Sequence, residues 1–117
     1  MPRFPVLLSA LPSVLFFDVE TQRSAEEVGG WRNVRAMGLA LAVVFDEGRA
    51  AYRTYYEADV DRLLQDLLAA TRVVGFNIDR FDLAVLSGYT DRDLGRIRTL
   101  DLLAEIHKSV GFRVSLN

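Results

Sequence analysis

Apolar positions group into short runs separated by polar turns, and the spacing within each run predicts an element. Ser13 to Glu20 contains the continuous run Val14-Leu15-Phe16-Phe17 and is expected to form a strand buried on both faces, hence central in its sheet. Residues 21 to 33 are polar, contain Gly29-Gly30 and form a loop carrying Trp31. A second strand over Ala36 to Phe45, a turn at Asp46-Glu47-Gly48 and a third strand over Arg49 to Tyr56 make a hairpin that continues an antiparallel meander. Asp59 is placed as a helix N-cap, after which Val60, Leu63, Leu64, Leu67 and Leu68 recur on one helical face. Arg72 to Phe76 is a fourth strand. Asn77 then starts a short helix that Gly88 closes near Ser87. Residues 97 to 100 form a fifth strand, and Asp101 to Ser109 a helix ended by Gly111.

A strand, a helix and a further strand imply right-handed parallel crossovers. The expected architecture is therefore α/β: a single domain with a mixed sheet of three antiparallel strands followed by parallel ones, order about 3-2-1-4-5, and flanking helices. At 117 residues no second domain is expected. The apolar run from Met1 to Phe17 is interrupted by Pro5 and Pro12, lacks a small-residue cleavage site and leads straight into Asp18, so it is taken as strand rather than secretory signal. No stretch is long enough to span a membrane.

Composition narrows the chemistry. With no cysteine and one histidine, thiolate metal sites, cysteine nucleophiles and Ser-His-Asp catalysis lack material, and catalysis would rest on the 16 carboxylates. The absence of cysteine fits a reducing, cytoplasmic setting. A net charge of −2 supplies no global field for nucleic acid, so binding would need a local arrangement.

Asp18 and Glu20 stand two apart at the carboxyl end of the first strand, so both carboxylates share one face. Oxygen donors held that close suit Mg²⁺ or Mn²⁺. The same pattern also arises where an apolar strand simply meets water. The helix after the fourth strand opens beside them with Asn77-Ile78-Asp79-Arg80-Phe81-Asp82, bringing a further carboxylate to that edge. Asp79 and Asp82 are equally suited to a capping role in a first helical turn.

Phe16-Phe17-Asp18-Val19-Glu20-Thr21, then Val74-Gly75-Phe76-Asn77-Ile78-Asp79-Arg80-Phe81-Asp82, then Thr99-Leu100-Asp101-Leu102-Leu103 resemble the motifs of the DEDD superfamily of 3′-to-5′ exonucleases. These have a ribonuclease H-like fold. The resemblance is greatest to bacterial ribonuclease H-like exonucleases, in which a Gly-Phe-Arg-x-Ser-Leu segment like Gly111 to Leu116 follows. It implies a two-metal mechanism with Mg²⁺ or Mn²⁺ in which Asp18 bridges both ions, Glu20 completes one site and Asp82 serves the other. It further implies Thr21 and Asn77 near the terminal nucleotide of a single-stranded 3′ end of DNA or RNA.

The family's fourth carboxylate and general base sit in a third motif, Tyr-x-x-x-Asp or His-x-x-x-Asp, on a terminal helix beyond Asn117. The resemblance thus implies a C-terminally incomplete domain, weak or inactive by itself. Exposed apolar sheet surface, and with it a homo-oligomer or a partner segment as cover, are the expected consequences. Tyr89 to Asp93 and Tyr55 to Asp59 match the third motif by spacing alone and are assigned to chance. His107 is placed on a helix surface, Asp101 at a strand end or helix cap, and Phe81 in the core. The alternatives carried beside the exonuclease are a catalytically inactive nucleic-acid-binding or assembly module of the same fold, and an endonuclease using the same carboxylates.

Overall fold

The computed structural model describes residues 13–111. The readings placed on Met1–Pro12 and on the segment after Gly111 lie outside them. Five strands form one sheet in the order β3-β2-β1-β4-β5. They are β1 (Val14–Thr21), β2 (Leu39–Asp46), β3 (Ala51–Tyr56), β4 (Arg72–Gly75) and β5 (Thr99–Asp101). β1 runs antiparallel to β2, and β2 to β3, while β4 and β5 extend the sheet in parallel on the other side of β1. The mixed α/β sheet with flanking helices is thus the one expected from the pattern of runs.

β1 is central but not buried on both faces. Leu15, Phe17 and Val19 enter the core, whereas Phe16, Asp18 and Glu20 point to the opposite, open face. The continuous apolar run conceals this alternation because the open face is itself apolar. Phe16, 41 % exposed, leans against Phe45, whose ring meets that of Tyr52 at a tilt of 57°.

The covered face is packed by α1 (Val60–Ala69), whose Leu63, Leu64 and Leu67 are buried against Leu15, Phe17 and Val44. Burial of side chains this size contributes roughly 1.5–3 kcal/mol each, which far exceeds what α1 gains from helix propensity. Asp59 does not cap α1 in the expected way. Its carboxylate accepts the Tyr56 N–H at 2.9 Å, closing a 3₁₀ turn (Glu57–Asp59) that leads into the helix.

After β4 the chain forms a π-helical turn (Ile78–Asp82), then α2 (Leu83–Leu86) and a 3₁₀ turn (Ser87–Tyr89). Gly88 therefore lies inside the last helical turn instead of ending the helix. A Cβ there would run into the carbonyl oxygen of Arg35, so the glycine serves close packing of this helix on the 3₁₀ segment Trp31–Ala36. The last element, α3 (Leu102–Val110), ends at Gly111 in the left-handed conformation, as expected. It buries Leu103 and leaves Leu102, Ile106 and Val110 exposed at a spacing of four residues. Among the described residues, no helix is long and apolar enough to cross a membrane.

Candidate active site

The site is built where the parallel ladder stops. β4 pairs with β1 only over Val14, Leu15 and Phe16, and it ends at Gly75. A Cβ on Gly75 would stand 2.8 Å from the Phe17 carbonyl oxygen and inside the methyl of Ile78. Glycine thus lets the departing chain cross directly over β1. The turn is completed by Asn77, whose φ of 58° lies in the left-handed region that asparagine tolerates better than most residues.

Beyond Phe16, the N–H groups of β1 that face β4 lose their ladder partner. The Val19 N–H is taken instead by Asp82, whose Oδ2 accepts it at 3.0 Å. Asp82 reaches it from the end of the π turn, which holds one more residue per hydrogen-bonded ring than an α turn. This side chain is 2 % exposed. Burial pushes its carboxyl up to about 7; the Val19 N–H opposes the rise, and the charges of Asp18 and Asp101 reinforce it.

Asp18 and Glu20 project from β1 on either side of Val19, both on the open face. Asp18 borders a cleft of that face together with Phe16, Val43, Phe45, Gly75 and Leu102. The Asp18 charge acts on Asp82, while Glu20 stands one strand repeat further along the open face. Among the described residues, no three His, Cys, Asp or Glu side chains stand close enough to form a metal-holding group.

The donor chemistry nevertheless suits a hard cation. Asp82 is buried within reach of the Asp18 charge, and neither carboxylate has an ion-pair partner among the described residues. A divalent cation would offset the burial that chiefly raises Asp82 and the repulsion from Asp18 that adds to it.

Asp101 closes β5 and caps α3, accepting the Leu103 N–H at 3.0 Å. Its carboxylate also accepts the N–H groups of Asn77 at 2.8 Å and Asp79 at 3.0 Å. A residue expected at a strand end or helix cap thus also braces the turn that presents Asp82. No local pattern announces this, since the two segments are over twenty residues apart.

Asn77 lines a cleft of about 210 Å³ with Asp79, Arg80, Asp101 and His107. Thr21 lies at the bulged end of β1, and its hydroxyl donates to the Arg23 carbonyl oxygen at 2.9 Å. Phe81 is partly buried against the core and meets the exposed Trp31 edge-on, with ring centroids 6.1 Å apart.

The two tyrosines that imitate a third motif are tied elsewhere. Tyr89 accepts the Leu39 N–H at 2.7 Å and donates to Glu57 at 2.6 Å. Tyr55 donates to Asp66 at 2.6 Å, which together with burial pushes its phenol up to about 12. Neither hydroxyl touches the carboxylate edge. His107 is exposed on α3. No family model matches the chain, and no curated protein matches it in sequence.

Proposed function

We propose that the carboxylate edge is the active site of a divalent-metal-dependent 3′-to-5′ exonuclease acting on nucleic-acid phosphodiesters. The observation that carries this reading is the Asp82–Val19 hydrogen bond, which joins the acidic turn after β4 to the strand bearing Asp18 and Glu20. The motif resemblance supplies the reaction class. The motif resemblance gives Asp18, Glu20 and Asp82 as the residues that would hold Mg²⁺ or Mn²⁺, which would supply Lewis-acid activation of a water and neutralise charge on the phosphoryl oxygens. The chain's own contribution is placement. The β1 backbone fixes Asp18 and Glu20, the π turn holds Asp82 against that backbone, and Asp101 keeps the turn closed through Asn77 and Asp79. Asn77 and Thr21 are the residues that the resemblance assigns to the terminal nucleotide.

Cleavage of 5′-labelled single-stranded DNA and RNA in millimolar Mg²⁺ or Mn²⁺ tests the proposal. A slow ladder shortening from the 3′ end, weak in this chain and lost in chelator, is expected. Internal cuts would transfer the same carboxylates to an endonuclease.

A second reading, a non-catalytic assembly module of this fold, is favoured by the open apolar face. Phe16, Phe45, Tyr52 and Leu102 border a shallow cleft of about 720 Å³ there. Under that reading the chain is silent toward both substrates, and sedimentation velocity shows a concentration-dependent oligomer that Tyr52→Lys combined with Leu102→Lys disperses. A monomer at all concentrations removes it.

A further inference from the structure

Away from the carboxylate edge, at the opposite end of β5, an open cleft of about 600 Å³ is lined by Leu68, Arg92, Asp93, Arg96 and Arg98. Three guanidinium groups here face one carboxylate, in a chain whose formal net charge is −2. We infer that this cleft is a phosphate-binding site for the sugar-phosphate backbone of a single-stranded nucleic acid.

The loop is built to hold these side chains outward. Ile97 is buried and Leu94 packs on the core, so the segment between β5 and the preceding helix is anchored by two apolar residues. A 3₁₀ turn over Leu94–Arg96 sets Arg92, Arg96 and Arg98 around that anchor, all of them exposed. The lone acid of the cleft is partly committed: the Asp93 Oδ1 accepts the Gly95 N–H at 2.9 Å. Arg98 is fixed by donating Nε and Nη2 to the Ala70 carbonyl oxygen at 3.2 and 2.6 Å, which places its charge at the carboxyl end of α1.

Other grouped arginines in this protein meet acids. Arg49 and Arg53 pair with Asp46, and Arg53 and Arg62 with Asp66. Arg92, Arg96 and Arg98 have no ion pair among the described residues. Arg72, exposed at the start of β4, stands one residue before the Val73–Thr99 pair and so lies beside Arg98, extending the positive surface. Like charges gathered in one loop without carboxylate partners leave a local positive field for an anion, and forked guanidinium groups suit phosphate oxygens.

Arg98 stands level with Val14 of β1, so Asp18 lies four residues along and two strands across, on the order of 16 Å away. One phosphodiester chain is long enough to occupy both. The choice of nucleic acid over other polyanions rests on the proposed function, whereas the cleft is independent of the carboxylates.

Fluorescence anisotropy of labelled oligo(dT) and oligo(U) in EDTA, titrated across salt concentration, tests the site without cleavage. Arg92→Ala combined with Arg96→Ala is expected to weaken binding about tenfold at moderate salt. The slope of log affinity against log salt should fall in magnitude by about 1.4, at roughly 0.7 for each single-strand phosphate that is no longer neutralised. Unchanged affinity and slope in the double variant, or no binding by the wild-type chain, would overturn the inference. Both side chains are exposed and hold no other part of the fold in place, and a thermal melt checks that the variant is folded. A chain that cleaves but shows no slope change sinks this inference and leaves the proposed activity standing. A chain that never cleaves but shows the slope change does the reverse.

Discussion

Asp82→Asn is expected to abolish metal-dependent cleavage while making the metal-free protein more stable at pH 8. The two effects have one origin. Asp82 is buried beside Asp18 and near Asp101, and its carboxyl is raised from 3.8 to about 7, through burial first. A group raised in the folded state keeps its proton where the unfolded chain has lost it. Its contribution is therefore full below about pH 4 and is lost as pH rises through about 7. Three pH units correspond to a span on the order of 4 kcal/mol. The amide is neutral at every pH and its oxygen still accepts the Val19 N–H, so the variant escapes that loss.

In chelator, wild type and variant should have similar urea midpoints near pH 4. By pH 8 the variant should be ahead by about 2 kcal/mol, or roughly 8–16 °C in Tm for a domain of about 100 residues. Ten millimolar Mg²⁺ should narrow the gap by stabilising the wild type alone. A weak site with a millimolar Kd provides about 1.4 kcal/mol under those conditions. Loss of cleavage should be at least about a hundredfold, corresponding to several kcal/mol of transition-state stabilisation. A variant no more stable than wild type at pH 8 in chelator would show that Asp82 is not held as a strained, buried charge.

The elements and their order were legible because polar turns separate the apolar runs, and the strand-helix-strand rule set the parallel half of the sheet. Asp18 and Glu20 were legible because a spacing of two on a strand has one geometric meaning. What the pattern did not disclose depends on distant partners. Phe16 belongs to the same unbroken run as Leu15 and Phe17, and what separates them is that, among the described residues, no element covers the open face. The π turn at Ile78–Asp82 is one residue away from an ordinary helix start, yet it delivers Asp82 to the Val19 N–H. Asp101 appears as a cap from its neighbours and as a brace only once Asn77 is beside it. Arg92, Arg96 and Arg98 sit in a segment whose sequence alternates both signs of charge, so their convergence appears only after Leu94 and Ile97 are anchored.

Asp46 is the clearest instance of a residue whose local context misleads, and its replacement should cause the largest loss of stability. In the sequence it opens the polar triplet Asp46-Glu47-Gly48 and suggests an exposed turn. In the fold it is the last residue of β2 and fully buried. Its Oδ1 accepts the Ser13 hydroxyl and the Arg49 N–H, and its Oδ2 accepts Arg49 Nη1 at 2.6 Å and Arg53 Nη2 at 2.9 Å. Arg53 continues to Asp66, which also receives the Tyr55 hydroxyl, so one carboxylate links the start of β1, the β2–β3 hairpin and α1. Burial pushes this carboxyl up, and the hydrogen bonds from Ser13, Arg49 and Arg53 together outweigh burial, leaving it lowered to about 2. The sign is opposite to that of Asp82: the contribution is present above about pH 4 and is lost as pH falls through about 2. Asp46→Ala strands Ser13 and two arginines that remain partly solvated, for an expected loss of about 3 kcal/mol at pH 7, within the range for breaking a buried pair. Against a total of roughly 5–15 kcal/mol that is a large fraction. Urea unfolding at a series of pH values reads both groups at once. Wild-type stability should peak near pH 4–5, between the window lost to Asp82 above and the window lost to Asp46 below, and the Asp46→Ala deficit should shrink toward pH 2. A deficit under about 1 kcal/mol, or one that does not change on acidification, would mean that the carboxylate is replaceable by water and does not anchor the hairpin.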